Sequence, residues 1–255
     1  MELVQAEWLL GEMSRQIDFV KTEKKEIVGT HPTKLFAQIV IGQTQAPWPL
    51  LRAVVKAPLI LPKGQVLTQP GFDVSSGIYL ANKDSWPDFS KKVDEVAARA
   101  AWLRLKALIQ DFPFGPLGSD QGPDASEAAW LGLCLTLLCR FAFVGSVPFF
   151  VFNGNKAGVG KGKLLQLASL IVLGSNPYTM PASEDLDKFT QDAYSALRSG
   201  TRLCWMDDVN PQFGNRVLNM VITAEEVAAR KFFTQDLCGV PNMAVWAITA
   251  NDVCL

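Results

Sequence analysis

The sequence predicts an α/β protein, with a three-layer core on a parallel sheet over residues 121–255 and a smaller mixed α/β region over residues 1–120. Three observations carry this. The apolar run 147–152 leads through a glycine-rich turn into a second apolar stretch, 164–173, long enough for a helix. The apolar run 202–206 ends in Asp207 and Asp208. A third run, 243–249, ends in Ala250-Asn251-Asp252. Short apolar runs bounded by polar ends, separated by helix-length segments, read as buried strands of one sheet.

Residues 1–28 read as one or two amphipathic helices, with apolar positions at Leu3, Trp8, Leu9 and Met13. Residues 35–80 read as β-rich, with short strands at 35–41, 51–55 and 59–61. Turn signals stand at Pro62-Lys-Gly64, Pro70-Gly71 and Ser75-Ser-Gly77. Helices are expected at 90–110 and 126–142. Between them, residues 113–123 are dense in Pro and Gly, which places the boundary near 120. In the core, residues 184–199 make a helix stopped by Gly200.

The turn reads Phe152-Asn-Gly-Asn-Lys-Ala-Gly-Val-Gly-Lys-Gly-Lys-Leu-Leu165, a phosphate-binding loop between strand and helix. Gly158 and Gly160 allow a backbone path closed to other residues, so successive N–H groups converge with the positive end of the helix dipole on a polyphosphate. Lys161 then reaches the β- and γ-phosphates. Asn155, Ala157, Val159, Gly162 and Lys163 complete the nucleotide-binding set. Against the pattern G-x-x-x-x-G-K-[ST], Asn155 stands at the first glycine position, and Gly162 replaces the hydroxyl residue that would hold Mg²⁺. A Gly/Lys-rich surface turn between buried elements is the competing reading of the loop alone.

Asp207 lies 46 residues beyond Lys161. Two carboxylates at a strand end beside such a loop suit a metal site, with Asp207 on Mg²⁺ and Asp208 on the metal shell and the attacking water. Asn251 is placed to hydrogen-bond the γ-phosphate or that water, although an Asn at a strand end is also a common turn residue.

Together, the three strand ends resemble the nucleotide core of the AAA+ ATPases, a P-loop NTPase class, and especially the superfamily 3 helicases and the primase-helicases of phages and mobile elements. The loop Ala157-Gly-Val-Gly-Lys-Gly162 matches the phage-type branch, and weaker likenesses extend through 57–64, 70–73 and 111–114. The resemblance implies ATP and Mg²⁺ as ligands, catalysis through Asp208 and Asn251, and a homo-oligomeric ring. It also implies a loop or hairpin between the acids and the Asn that contacts single-stranded DNA, for which Arg230 and Lys231 are candidates; a surface helix starting near Thr223 is the alternative. In such rings a neighbour's arginine and a lid follow the Asn strand, whereas only Asp252-Val-Cys-Leu255 follow Asn251. Weak or no hydrolysis by the chain alone is therefore expected. The alternative function is a nucleotide-responsive scaffold or assembly module without fast turnover.

Composition narrows the field. The 255 residues are 49% hydrophobic, enough for a sizeable core, and the formal net charge of −1 gives no overall basic footprint for nucleic acid. Five cysteines without C-x-x-C spacing predict buried free thiols and an intracellular, cytoplasmic setting. His31 is the lone histidine, so neither a His-based zinc site nor a Ser-His-Asp triad can be built. The acidic start, Met1-Glu-Leu-Val-Gln-Ala-Glu-Trp8, does not suit a signal peptide. Arg140, Gly145 and Pro148 interrupt the apolar stretch 128–152, which reads as a buried helix and strand and not a membrane span. No N-K-x-D motif follows the loop, against a GTPase, and no arginine-bearing kinase lid can be assigned.

Overall fold

The computed structural model describes residues 6–23, 26–42, 50–82, 84, 86–87, 89, 93–114, 124–210, 214, 216–230 and 237–252. By contact the chain divides into two compact units, Met1–Leu50 and Leu51–Leu255. The expected boundary near 120 falls in a stretch, 115–123, outside the described residues.

The first unit holds α1 (Ala6–Gln16), an antiparallel hairpin of β1 (Phe19–Glu23) and β2 (Glu26–Thr30), and α2 (Lys34–Gly42). Helix α1 matches the amphipathic reading, and its Leu9 is buried. Two expectations are corrected. Residues 19–23 and 26–30 pair as strands and not as a second helix: Val20, Thr22, Ile27, Val28 and Thr30 supply the β-branched side chains that suit a pleated ladder. Residues 35–41 are helical and not a strand. Thr33 accepts the Phe36 N–H at 3.3 Å and so caps the first turn, and the apolar residues then fall at helical spacing. The Phe19 and Phe36 rings meet edge to face, 6.0 Å between centroids.

The second unit begins with short strands: β3 (Ala53–Val55), β4 (Leu59–Ile60), β5 (Val66–Leu67), β6 (Gly71–Asp73) and β7 (Ile78–Leu80). They form a three-stranded sheet, β3-β7-β6, and a β4-β5 pair around Val55, Leu59, Leu61, Leu67, Ile78 and Leu80. The turns fall at the expected breakers. Asp73 closes the last of them by accepting from the Ser75 and Ser76 hydroxyls and the Ser76 N–H, which hold its carboxyl below the usual range.

Then come α3 (Glu95–Ile109), α4 (Asp124–Cys139), β8 (Phe150–Gly154), α5 (Lys161–Leu173), β9 (Tyr178–Thr179), α6 (Leu186–Arg198) and β10 (Leu203–Val209). They are followed by α7 (Arg216–Thr223), β11 (Glu226–Arg230), β12 (Leu237–Pro241) and β13 (Val245–Asn251). Asp94 caps α3 and Asp185 caps α6, each accepting backbone N–H groups of the first turn. The central sheet has the order β8-β13-β10-β9, and every pairing is parallel. Strand alternation sends Leu203, Trp205, Val245 and Ala247 to one face, against Trp130, Leu133 and Leu137 of α4 and Leu164, Leu165 and Ala168 of α5. Cys204, Met206, Trp246 and Ile248 go to the other, against Phe189, Ala193 and Leu197 of α6 and Val217, Leu218 and Val221 of α7. The result is a mixed α/β structure whose four-stranded parallel sheet is flanked by helices.

The stretch 128–152 is a buried helix and a strand, as expected, and among the described residues no helix is long and apolar enough to cross a membrane. A helix starting near Thr223 is not found: α7 ends there, and β11 pairs with β12 in a separate antiparallel hairpin. Cys134, Cys139 and Cys204 are free thiols. Burial pushes the Cys134 thiol up to about 12 and Cys204 higher still, so both stay protonated. Cys254 and the Cys238 side chain lie outside the described residues.

Helix α3 precedes the expected core boundary yet packs into the core. Ile109 is wholly buried beside Trp130, Leu164 and Leu165, and Phe112 and Phe114 flank the same cluster. Ile109→Ala is expected to lower unfolding free energy by about 2–5 kcal/mol in urea titrations. A change near zero would mean that α3 is not integral to this core.

Candidate functional site

Parallel pairing brings the carboxyl-terminal ends of β8, β13 and β10 to one rim of the sheet. The register pairs Asn251 with Gly154 on one side and Ala250 with Val209 on the other. The residues expected to act together therefore converge although they are distant in sequence. The Lys161 ammonium donates to Asn251 Oδ1 at 2.6 Å and to the Lys156 carbonyl at 3.2 Å. Asn251 Nδ2 donates onward to Asp208 Oδ1 at 2.8 Å. One amide thus joins the loop lysine to the strand-end acid.

The loop between β8 and α5 takes the path its glycines allow. Gly158 and Gly160 have φ values of 82° and 94°, in the left-handed region. Gly160 caps α5 without a side-chain bond, so the first-turn N–H groups of Lys161, Gly162 and Lys163 have no acceptor within the helix. A Cβ at Gly160 would lie 3.0 Å from Phe112 Cε1, and one at Gly154 would lie 3.0 Å from Val159 Cγ2 and 3.2 Å from Lys161 Cδ. Both glycines are needed for close approach. Asn155, Ala157, Gly158 and Lys163 are exposed, while Val159, Gly160, Lys161 and Gly162 are half-buried.

Strand β10 continues through both acids, and its pairing with β13 slips there. Met206 pairs with Ile248, but the next pair is Val209 with Ala250, so Asp207 and Asp208 together oppose Thr249. This is a β-bulge, and Asp208 takes it up at φ 49°, a conformation that Asp tolerates better than most residues. Both carboxylates remain exposed at the rim.

Gly162 lies against the strand that carries the acids: a Cβ there would sit 3.0 Å from both Cζ2 and Cη2 of Trp205. The indole fills the space in which the usual hydroxyl residue would stand. Trp205 Nε1 in turn donates to Thr249 Oγ1 at 3.3 Å. Neither Trp205 nor Thr249 is singled out by the sequence reading. The one available signal is a threonine inside the apolar run 243–250, whose buried hydroxyl needs partners.

Two carboxylates and an amide beside a glycine-rich loop have the oxygen-donor chemistry that would suit a hard cation retaining several waters. An all-protein cage is not present: among the described residues no group of three His, Cys, Asp or Glu side chains could hold a metal. Arg230 ends β11 in the separate hairpin and is not on the sheet rim; its side chain and Lys231 lie outside the described residues.

Away from the rim, Arg140 and Arg202 are desolvated, which lowers both pKa values, Arg202 to about 10. Their guanidiniums donate to the Asn242 and Leu137 carbonyls, respectively, tying the end of α4 to the sheet.

No family model matches the chain, and no curated protein does. Among solved structures, the A-form apo structure of the NrS-1 C-terminal region is similar at a TM-score of 0.40 and 14% identity, covering 97% of this chain and 57% of that one. The chain thus spans a little over half the length of that structure.

The Gly162–Trp205 contact makes a testable demand. Gly162→Ser is expected to destabilise the protein by about 1–3 kcal/mol through overpacking. In a Trp205→Phe background, which lacks the two contacting ring atoms, the cost should be at least about 1 kcal/mol smaller. Urea unfolding of the four proteins measures this coupling, and simple additivity would refute the contact.

Proposed function

We propose that this chain is the ATP-binding core of a DNA-replication or helicase-type ATPase of the AAA+ class, of the kind found in phages and mobile elements. The carrying observation is the hydrogen-bonded chain Lys161–Asn251–Asp208, assembled by the insertion of β13 between β8 and β10. A surface turn has no need of such a chain. A nucleotide site does: its loop lysine, its strand-end acid and its amide must address one terminal phosphate.

In this reading, the loop N–H groups and Lys161 hold the phosphates. Asp207 would hold Mg²⁺, which when bound neutralises phosphate charge, with Asp208 at the edge of the metal shell and contributing little to its affinity. Asp208 also accepts a proton from the attacking water, and Asn251 orients that water or the γ-phosphate. The β11–β12 hairpin falls in sequence between the acids and the Asn, where helicases of the resembling group contact single-stranded DNA; Arg230 and Lys231 are the candidates there. Assembly into a ring belongs to the same reading.

A second reading, a nucleotide-responsive scaffold with slow turnover, is favoured by one observation: the Trp205 ring occupies the place of a metal-binding hydroxyl at position 162. Steady-state ATPase assays with and without single-stranded DNA separate the two. DNA-stimulated turnover supports the motor, and tight binding without turnover supports the scaffold.

Lys161→Ala should weaken Mg-ATP binding by about 2–4 kcal/mol, roughly 30- to 1,000-fold, in calorimetric titrations. Equal binding by wild type and variant would refute the loop assignment. Asp207→Asn should impair Mg²⁺-dependent binding, whereas Asp208→Asn should leave nucleotide affinity nearly intact and abolish any turnover. The reverse pattern would exchange their roles.

A further inference from the structure

We propose that Thr249 is the positioning residue of the acid pair, setting the Asp207 carboxylate for the cation; this rests on the nucleotide-site reading above. The argument starts from the bulge. Because Asp207 and Asp208 together oppose one residue, the regular ladder is broken at Asp208. Its N–H donates instead to Thr249 Oγ1 at 3.0 Å. The same hydroxyl accepts from Trp205 Nε1 and donates its proton to Asp207 Oδ1 at 2.5 Å. A hydroxyl has one proton and two acceptor lone pairs, and here all three are used.

Thr249 is 1% exposed and its β-branched side chain is stiff, so this is a fixed point and not a surface bond. Asp207 is exposed, and on its own its carboxylate would turn freely in water. The Thr249 proton engages one carboxylate oxygen and leaves the other for the cation. Gly162 explains why the task falls to β13. With the Trp205 ring against it, the first turn of α5 has no hydroxyl to offer. The site hydroxyl comes from the neighbouring strand and acts by orienting a ligand group, without being one.

Such supporting partners typically govern metal affinity by 10- to 100-fold. The test is calorimetric titration of ADP into the full chain, in Mg²⁺ and in EDTA, for wild type, Thr249→Val and Thr249→Ser. Thr249→Val should reduce the Mg²⁺ enhancement of ADP affinity about 10-fold or more, while affinity in EDTA stays within about twofold of wild type. Thr249→Ser, which keeps the hydroxyl, should retain most of the enhancement. If Thr249→Val does not fold, Thr249→Cys carries the same comparison, with a weak donor in similar volume. An unchanged enhancement, an equal loss in both conditions, or no retention by Thr249→Ser overturns the proposal while leaving the nucleotide reading intact. A wild type that binds no ADP in either condition overturns both.

Discussion

Strand β13 is hydrogen-bonded along both edges, to β8 from Ala247↔Phe150 through Asn251↔Gly154 and to β10 from Leu203↔Val245 onward. The groups at the three strand ends are brought together by this double pairing. A one-residue slip would turn Thr249 and Asn251 to the opposite face and bring Ala250 toward the loop, because side chains alternate with a period of two. The buried side chains resist that slip. Trp246 and Ile248 pack on α6 and α7, and Val245 and Ala247 on α4 and α5, so both faces of the strand are committed. Polar geometry at the rim thus inherits its precision from apolar packing in the sheet.

The bulge in β10 and the glycine at 162 are linked through one side chain. Trp205 lies on the α5 face, where its ring requires Gly162 and its N–H requires an acceptor. Thr249 is that acceptor, and it also takes the N–H released at Asp208. A side chain added at Gly162 overfills this space, and removing the Thr249 hydroxyl leaves the Trp205 and Asp208 N–H donors unmet. Leaving a buried donor unmet typically costs about 1–3 kcal/mol. The departure of the loop from its common pattern is therefore matched by a change on the neighbouring strand.

Strands β8, β10 and β13 were legible because their apolar runs are short, continuous and bounded by polar ends, and so was the helix stop at Gly200. Residues 35–41 were not. Leu-Phe-Ala-Gln-Ile-Val-Ile suits either period, and the deciding group is the Thr33 hydroxyl, a single local bond. The hairpin at 19–30 was hidden by the mixed charges of its central residues, which mimic a solvated helix face. The convergence of Lys161, Asn251 and Asp208 followed from motif order. The Trp205–Thr249 bond joins residues 44 apart, and the bulge exists only in the pairing of two strands, so neither leaves a local pattern in the chain.

The strand order also bears on how the chain reaches this structure. β8 and β10 are never neighbours; the strand that joins them comes later in sequence than either, and later than the hairpin β11–β12. Until β13 arrives, the facing edges of β8 and β10 present unpaired N–H and C=O groups flanked by apolar side chains. Loop-closure entropy must be met before those long-range pairings contribute, which makes such sheets slow to form. During synthesis, or after dilution from denaturant, the exposed edges are open to pairing with other chains. The arrangement that gathers the site at one rim thus leaves two strand edges of the sheet without their partner until β13 is in place.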